Sequence, residues 1–365
     1  MRTSGLAGLY AEPGPFASVC LDVSRDTAAG PHEHDLRLRA ARETLTEQGA
    51  DDAVVELVTA QLTEQVSEPA PVSRVVVANA GGVVFDEIMH TRLEQPVVSW
   101  SPLPDLGTWI EHEDGTTPFV LAVVDHEGGD VALYTSDVPD PEREESVGGE
   151  TEHVHKVPTG GWSSLRYQHT TENVWQRNAD AVADEIESHI RSGYRLVLLA
   201  GDPRSCADVL QALGDTKAEV VQLGTGSRAA DGGEEAFQQA IREALLEHTV
   251  ARRLQLSHDL KDRLGRDSGA VTGARDVANA FVRGQVDTLL LDPAAAAELT
   301  VVPDEHPGLV LGSAPLDQPL RADQALIAAA ALTGADVSVS RRSTLGGSPV
   351  AALLRWEQAA EGTAS

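Results

Sequence analysis

The chain has 365 residues, of which 28 are Lys or Arg and 57 are Asp or Glu, so its formal net charge at pH 7 is −29. This length can bury more than one hydrophobic core, which excludes a single small module. The acidity excludes an extended basic groove for nucleic acid but allows a local cationic patch, and an aromatic content of 4% disfavours stacking platforms for single strands.

The cysteine content and the hydropathy of the chain predict the cellular compartment in which the protein is found. Cys20 and Cys206 are far apart and form no CxxC pair, so neither a disulfide framework nor a cysteine zinc site is indicated. No run approaches the roughly 20 apolar residues of a membrane span, and residues 1–10 lack the layout of a secretory signal. We therefore expect a cytoplasmic protein with no membrane partner.

The first part of the chain predicts strands and helices. Residues 16–24 have strand composition, residues 34–62 carry Leu at helical spacings, and apolar runs on both sides of Asn79-Ala-Gly-Gly82 predict a hairpin. Residues 96–106 contain Ser101-Pro-Leu-Pro-Asp105, whose prolines predict a connector. We place a domain boundary close to residue 115.

The middle part alternates strands and helices. Strands are expected at 119–125, 130–135, 194–199 and 219–223, and helices at 172–190 and 205–213. The first two strands form a hairpin, and residues 139–152, which are rich in acids, Pro and Gly, are expected to be a solvated loop. This alternation predicts the α/β class.

The last part continues the same pattern. A long helix is expected from about Glu234 to Leu264, and a second helical segment from Val271 to Val282. Strands at 288–292, 336–340 and 350–356, with an Ala-rich helix at 323–332, predict a C-terminal α/β/α unit. No fixed-period repeat is visible, which disfavours a solenoid.

A window without acidic residues, 153–171, stands out in so acidic a chain. It holds the basic residues His155, Lys156 and Arg166, the flexible pair Gly160–Gly161, and the aromatic side chains of Trp162 and Tyr167. These residue types fit an exposed loop that touches RNA. The alternative is an ordinary Gly-Gly turn before a helix, with Trp162 packed at the edge of its domain.

The same window resembles a known family. Gly160-Gly-Trp-Ser-Ser-Leu-Arg-Tyr-Gln168, followed by Glu172-Asn173 and Trp175, resembles the loop and helix start of the bacterial relatives of the archaeal and eukaryotic peptide-chain release factor and of Pelota. The actinobacterial branch, which includes the Balon-type ribosome hibernation factors, is the branch it is most similar to. Three further segments agree in order, namely Ser101–Asp105, Phe119–Asp125 and Gly284–Leu291.

The resemblance implies three α/β domains. These are an N-terminal domain (1–115), a middle domain with a ribonuclease-H-like fold and the Gly-Gly loop (116–244), and a C-terminal domain similar to ribosomal protein L30e (245–365). It also implies a factor that occupies the ribosomal A site as a tRNA does, with the loop directed toward the peptidyl-transferase centre. Elongation factor Tu is implied as a delivery partner that contacts the C-terminal domain, and DNA is not an expected partner.

The loop departs from that of true release factors at one position. In those proteins the loop is Gly-Gly-Gln, whose glutamine region orients the water that hydrolyses peptidyl-tRNA, whereas this chain has Trp162 at that place. An indole has one N–H donor and no acceptor, so it cannot reproduce the contacts of a carboxamide. We therefore expect A-site occupancy without hydrolysis, in hibernation or stress, and assign no catalytic residue. The alternative is a release or rescue factor that hydrolyses peptidyl-tRNA with a divergent loop.

Other candidate RNA contacts are two arginine pairs, Arg252–Arg253 and Arg341–Arg342, because a few phosphate contacts suffice for binding. The alternative for each pair is a solvated cationic face. The acidity also leaves open a third function, a binding module that does not act on ribosomes.

The remaining motifs are weaker. His153, His155 and His169 lie close enough in sequence for a metal site to be imagined, but without a carboxylate pattern we expect surface histidines and no metal. Gly224-Thr-Gly226 lacks the third glycine of a dinucleotide loop, and no P-loop or Gly-x-Ser-x-Gly elbow occurs, so we expect no cofactor and no serine hydrolase. Gly201-Asp-Pro-Arg204 is expected to be a strand-to-helix turn with unspecific anion-binding potential.

Overall fold

The structure, a computed structural model, describes residues 1–125, 128–138, 140–147, 175–224, 233–313 and 316–356. They form two compact units: the first unit is Met1–Gly115 with Arg253–Ser365, and the second unit is Thr116–Arg252. Both contain sheets and helices, so the predicted α/β class is confirmed. The division into domains at 1–115, 116–244 and 245–365, and their ribonuclease-H-like and L30e-like folds, stay predictions.

The first unit begins with a four-stranded antiparallel sheet in the order β3-β2-β1-β4. Its strands are β1 (Phe16–Asp22), β2 (Ser73–Asn79), β3 (Gly82–Met89) and β4 (Val97–Ser101). The predicted hairpin at Asn79–Gly82 is confirmed as the β2–β3 connection. Helices α1 (Gly30–Glu47) and α2 (Asp52–Thr63) bury Leu, Val and Ala side chains in one core with alternate residues of β1 and β2.

The prediction of a connector at 96–106 is wrong for residues 97–101 and correct for 102–106, which link β4 to helix α3. Residues Val97–Ser101 form β4, which pairs antiparallel with β1 at the edge of the sheet. Pro96 and Pro102 flank this strand rather than interrupt it, and an edge strand tolerates proline at its ends. The next residues are also packed, since Leu103 and Leu106 are buried before helix α3 (Gly107–Gly115) begins.

The second unit contains a five-stranded sheet in the order β7-β6-β5-β8-β9. Its strands are β5 (Pro118–Asp125), β6 (Gly128–Thr135), β7 (Arg143–Val147), β8 (Leu196–Gly201) and β9 (Glu219–Gln222). β5 pairs antiparallel with β6 and parallel with β8. The helices are α4 (Trp175–Ser192), α5 (Pro203–Leu213) and α6 (Gly233–Gly265), of which residues 253–265 belong to the first unit.

Both faces of this sheet are covered. Val120 and Val124 of β5 pack with side chains of α4 and α5, whereas Phe119 and Leu121 pack with Ile241 and other side chains of α6. Successive residues of a strand point to opposite faces, so the run of apolar residues in β5 serves two separate cores. This explains why a continuous apolar run was correctly predicted to be a buried strand.

The prediction of a solvated loop at 139–152 is wrong for part of its length. Residues Arg143–Val147 form β7, which pairs antiparallel with β6 at the edge of the sheet. Charged residues are common on edge strands because one side of such a strand faces water, and they also discourage pairing with another chain. The acids that indicated a loop are therefore compatible with a strand at this position.

The last segment of the first unit forms a second sheet, in the order β10-β15-β11-β14. Its strands are β10 (Ala270–Thr272), β11 (Val286–Leu291), β14 (Asp336–Val339) and β15 (Val350–Leu354). The short strands β12 (Thr300–Val301) and β13 (Leu320–Arg321) pair separately, and the helices are α7 (Ala274–Val282), α8 (Pro293–Ala296) and α9 (Ala322–Thr333). The predicted helix at 271–282 is correct only from Ala274, because Val271 lies in β10 and Gly273, at φ +92°, precedes α7.

A buried ionic cluster joins the first and last segments of the first unit. The Arg321 guanidinium donates to Oδ2 of Asp105 at 2.6 Å, and to Oδ1 and Oδ2 of Asp323 at 3.1 and 2.6 Å. The side chains of Asp105 and Asp323 are 4% and 1% exposed, whereas that of Arg321 is 39% exposed. We call these three residues the Arg321 cluster. Arg321, which is 216 positions away from Asp105 in the chain, supplies the one cation that compensates the two buried carboxylates.

A second polar contact joins the same two segments. The buried Asp114 carboxylate lies 3.1 Å from the amino group of Met1, and its other oxygen accepts hydrogen bonds from the Ser338 hydroxyl and the Val339 amide. Met1 and Val337 also exchange two backbone hydrogen bonds. No helix in the described part of the chain is long and apolar enough to cross a membrane.

Candidate nucleic-acid interface

The predicted RNA-contacting loop lies outside the described residues. This applies to His155, Lys156, Gly160, Gly161, Trp162, Arg166 and Tyr167, and to the three histidines considered for a metal site. In the chain, the loop is flanked by the edge strand β7, which ends at Val147, and by α4, which begins at Trp175. The roles assigned to its residues therefore stay predictions.

The neighbouring end of the second unit has a small recess. Its lining includes Asp125 at the end of β5, Asn178 in the first turn of α4, and Ser205 and Asp208 of α5. The space is about 10 Å³, which is enough for about one water molecule. This recess is therefore not a pocket for a small-molecule substrate.

The strand-to-helix turn at Gly201–Arg204 is confirmed, but the helix amides that could bind an anion are already bound by the side chain of Asp202. Asp202 is the N-cap of α5, and its Oδ1 accepts hydrogen bonds from the amides of Arg204 and Ser205 at 3.0 and 3.1 Å. A carboxylate at this position already satisfies the first free amides of the helix and its positive dipole end. The amides of Arg204, Ser205 and Cys206 are therefore not free to bind an external anion.

The arginine pair Arg252–Arg253 lies in the middle of α6. Arg252 is half-buried and Arg253 is exposed. Consecutive helical residues are about 100° apart around the axis, so the two side chains point in different directions. The pair does not form one focused cationic site, although Arg253 remains accessible.

The other pair, Arg341–Arg342, lies in an ordered and exposed loop after β14. Both residues are exposed, as are Ser343 and Thr344, which follow them. The Arg342 Nε donates to the Gly347 carbonyl oxygen at 2.7 Å, which fixes the direction of that guanidinium. Of the two predicted arginine pairs, this is the one in which both residues are exposed.

Sequence reasoning missed the surroundings of this pair. Residues 337–356 contain three arginines and no Asp or Glu, a stretch comparable in length to the window 153–171. The same signal that selected the first window would have selected this one, together with Ser343, Thr344, Gly346 and Gly347. Among the described residues no group of three or more His, Cys, Asp or Glu is arranged to hold a metal ion.

The two cysteines are free and buried in separate units. Burial, with a smaller effect of the Asp105 charge, raises the pKa of the Cys20 thiol to about 12. Burial, followed by the Asp202 charge, raises the pKa of the Cys206 thiol to about 11. Both side chains are therefore neutral thiols at pH 7, and they pack as small apolar groups.

Comparison with known proteins shows the family to which the chain belongs. The model of bacterial archaeo-eukaryotic release factor family 2 matches residues 118–287, a range that contains the whole window 153–171. Two uncharacterized proteins of Mycobacterium tuberculosis, MT2704 and Rv2629, are each 31% identical to this chain over 373 residues, and the matches cover 98% of this chain and 97% of theirs.

Solved structures of release-factor-like proteins are similar to this chain over nearly its full length. An archaeal Pelota in a model of ribosome-bound Pelota and ABCE1 is 17% identical, with a TM-score of 0.42, over 97% of this chain and 94% of that chain. Dom34 of S. cerevisiae, a translation termination-like factor, is 10% identical, with a TM-score of 0.43, over 97% and 92%. Scores in this range do not establish a common arrangement of elements, so the assignment rests on the family model and the relatives.

These matches define an α/β protein of the release-factor-like class. The chain belongs to the bacterial archaeo-eukaryotic release factor family 2. The resemblance inferred from the Gly160–Gln168 segment is thereby confirmed at the level of the family, while the similarity to Balon-type hibernation factors stays a prediction.

Proposed function

We propose that this protein is a cytoplasmic translation factor that binds the ribosome and occupies the A site without hydrolysing peptidyl-tRNA. The observation that carries the proposal is the family match over 118–287, together with Trp162 inside it. Membership of a release-factor family supports action on the ribosome. Trp162 argues against hydrolysis because an indole lacks the acceptor needed to orient a water molecule.

Because the chain is strongly acidic, its binding to ribosomal RNA requires local cationic groups. A net charge of −29 weakens long-range attraction to ribosomal RNA, so binding depends on local cationic groups. The window 153–171 supplies Lys156 and Arg166 without a neighbouring acid in the sequence. We assign the A-site contacts to this window and expect the acidic remainder to limit non-specific binding to other RNA.

The proposal includes the physiological setting and a delivery partner. A factor that fills the A site without releasing the peptide keeps the ribosome inactive, which fits hibernation in stress or stationary phase. Elongation factor Tu is the proposed delivery partner, in contact with the C-terminal segment. A pull-down from starved cells with the full chain tests this partner, and a complex that lacks elongation factor Tu contradicts it.

The absence of hydrolysis is tested with ribosomes that carry peptidyl-tRNA in the P site and an empty A site. Loss of a group that positions the reacting water costs about 100-fold or more, so we expect peptide release at least about 100-fold slower than by a bacterial release factor. The measurement is free peptide against time at saturating protein.

The Gly161→Ala variant is the control for this assay. Release by the wild-type protein that is abolished in Gly161→Ala would favour the alternative, a release or rescue factor with a divergent loop. A protein that acts away from ribosomes is tested separately by pelleting the ribosomes of a starved-cell lysate through sucrose at low salt. Absence of the protein from that pellet would contradict both ribosomal functions.

A further inference from the structure

The loop after β14 is exposed and carries two consecutive arginines, Arg341 and Arg342. It runs from Arg341 to Ser348 and is called the Arg341 loop below. It lies within the acid-free stretch 337–356 of a chain that has twice as many acidic as basic residues. A local concentration of positive charge in an acidic chain indicates a binding surface for a negatively charged partner.

The loop is held in one conformation by its own contacts. Leu345 is 2% exposed and packs in a core with Leu260 of α6 and Leu353 of β15. Gly346 and Gly347 have φ of +70° and +87°, a region that favours glycine, and they turn the chain back toward β15. The Arg341 carbonyl accepts hydrogen bonds from the amide and the hydroxyl of Thr344, at 2.8 and 2.7 Å.

Among the described residues, the carboxylate of Asp292 forms no ion pair with either guanidinium group. Asp292 lies beside the loop, but its Oδ2 accepts from the backbone amide of Arg342 at 2.8 Å, and its Oδ1 accepts from the amide of Ala295 at 3.3 Å. Within the described ranges, neither Arg341 nor Arg342 takes part in an ion pair. The arginines therefore present their positive charge to solvent from an ordered backbone.

We infer that the Arg341 loop binds the phosphodiester backbone of RNA. A guanidinium matches two phosphate oxygens with parallel N–H donors. Ser343, the next residue in the chain, is exposed and carries a hydroxyl donor. Gly347 is exposed and a Cβ there would meet no atom within 4 Å, so a phosphate can approach the backbone closely at this residue. The contact is to phosphate, so it carries little sequence specificity.

This inference rests on the proposed function for the choice of RNA as the anion. It adds to that function a second contact, in the first unit, that is independent of the window 153–171 in the second unit. A factor with a strongly acidic surface gains from two separate cationic contacts, since each additional phosphate contact releases counterions and multiplies the affinity.

The test compares the full-length wild-type protein with Arg341→Gln/Arg342→Gln in co-sedimentation with purified 70S ribosomes over a series of salt concentrations. The matched control is Arg39→Gln/Arg275→Gln, which changes the net charge equally at two exposed arginines of the same unit. Loss of two phosphate contacts reduces the slope of log affinity against log salt by about 1.5, and we expect weaker binding at low salt. The control is expected to keep the wild-type slope.

The result separates the inference from the function on which it rests. If the wild-type protein sediments with ribosomes and the loop variant has the same affinity and salt slope as the control, the inference is overturned. If the wild-type protein does not sediment, the proposed function fails. Binding of the same three proteins to protein-free ribosomal RNA then decides the inference, since equal affinities there would also overturn it. Thermal unfolding of the variants confirms that the fold is retained.

Discussion

Substitution of Arg321 by Met is expected to destabilise the first unit by about 3 kcal/mol at pH 7. The variant leaves the carboxylates of Asp105 and Asp323 buried without their cation. Two unpaired like charges in a poorly solvated site oppose folding, and removal of one partner from a buried ion pair has effects of this size. We place the value at the lower end because the Arg321 side chain is 39% exposed and water partly screens its charge.

The pH dependence distinguishes this cause from a loss of packing. Burial raises the pKa of Asp323 above its ordinary value, and the guanidinium of Arg321 opposes that shift. Without Arg321 the pKa rises further, so the variant takes up a proton more readily in its folded state. Stability contributed by a raised carboxyl pKa is present at low pH and is lost as the pH rises through the folded value. The deficit of Arg321→Met is therefore expected to shrink between pH 7 and pH 5.

Urea unfolding at these two pH values, followed by hydrogen exchange in peptides of the first unit, measures both effects. The control is Arg283→Met, because the side chain of the exposed Arg283 donates only to Gln285 among the described residues, and we expect this substitution to cost less than about 1 kcal/mol. A cost for Arg321→Met equal to that of Arg283→Met, or a deficit that stays constant with pH, would show that the cluster does not hold the two segments together.

Substitution of Gly201 by Ala is expected to destabilise the second unit by at least about 3 kcal/mol. Gly201 has a φ of +121°, which L-residues with a Cβ rarely adopt, and it pairs with Val124 at the end of the parallel strands β8 and β5. A Cβ on Gly201 would be placed on the Val124 carbonyl oxygen and only 2.8 Å from its carbonyl carbon. That oxygen cannot move freely, because it accepts a hydrogen bond from the Asp202 amide at 2.9 Å.

The control for Gly201 isolates the backbone conformation from the steric clash. Gly334 has a φ of +66° at the end of α9, and a Cβ there meets no atom within 4 Å. Ala at Gly334 is therefore expected to cost about 1 kcal/mol, from the left-handed conformation alone. Hydrogen exchange in peptides of β5 and β8 measures the effect of Gly201→Ala. Protection in that variant equal to wild type would mean that the two strands are not packed as described.

Long segments with one clear periodicity were predicted well from the sequence. The apolar run at Phe119–Asp125 and the Glu- and Leu-rich segment from Glu234 predicted β5 and α6 closely, because their side-chain patterns match one secondary structure. The predicted strand at 194–199 and helix at 205–213 were also correct. Local composition is sufficient where burial is uniform along the element.

The edge strands β4 and β7 were both missed from the sequence, and for the same physical reason. Proline around β4 and acidic residues in β7 are typical of loops, but an edge strand uses only half of its backbone groups for pairing and has one side in water. Each of these segments is a strand because it pairs with a neighbouring strand, β4 with β1 and β7 with β6. This pairing forms only in the folded chain and cannot be predicted from local composition. The Arg321 cluster was missed likewise, since Asp105 and Arg321 are brought together only by tertiary structure.

The candidate interface was predicted in part. The family was recognised from Gly160–Gln168 and then confirmed, but the residues of that window predicted to contact RNA lie outside the described part of the chain. Arg341 and Arg342 were selected as a basic pair, whereas the glycines and hydroxyls of the same loop were not. A pair of charges is visible in sequence, but the ordered backbone that presents them requires Leu345 to be buried.

The central claim is that the window 153–171 enters the A site, and protection of ribosomes from puromycin tests it most directly. Ribosomes with peptidyl-tRNA in the P site are incubated with the wild-type protein or with Lys156→Ala/Arg166→Ala, and the formation of peptidyl-puromycin is then followed. The account predicts that saturating wild-type protein slows this reaction in proportion to occupancy and that the variant protects much less at the same concentration. An undiminished puromycin reaction with wild-type protein that co-sediments with the ribosomes would contradict it.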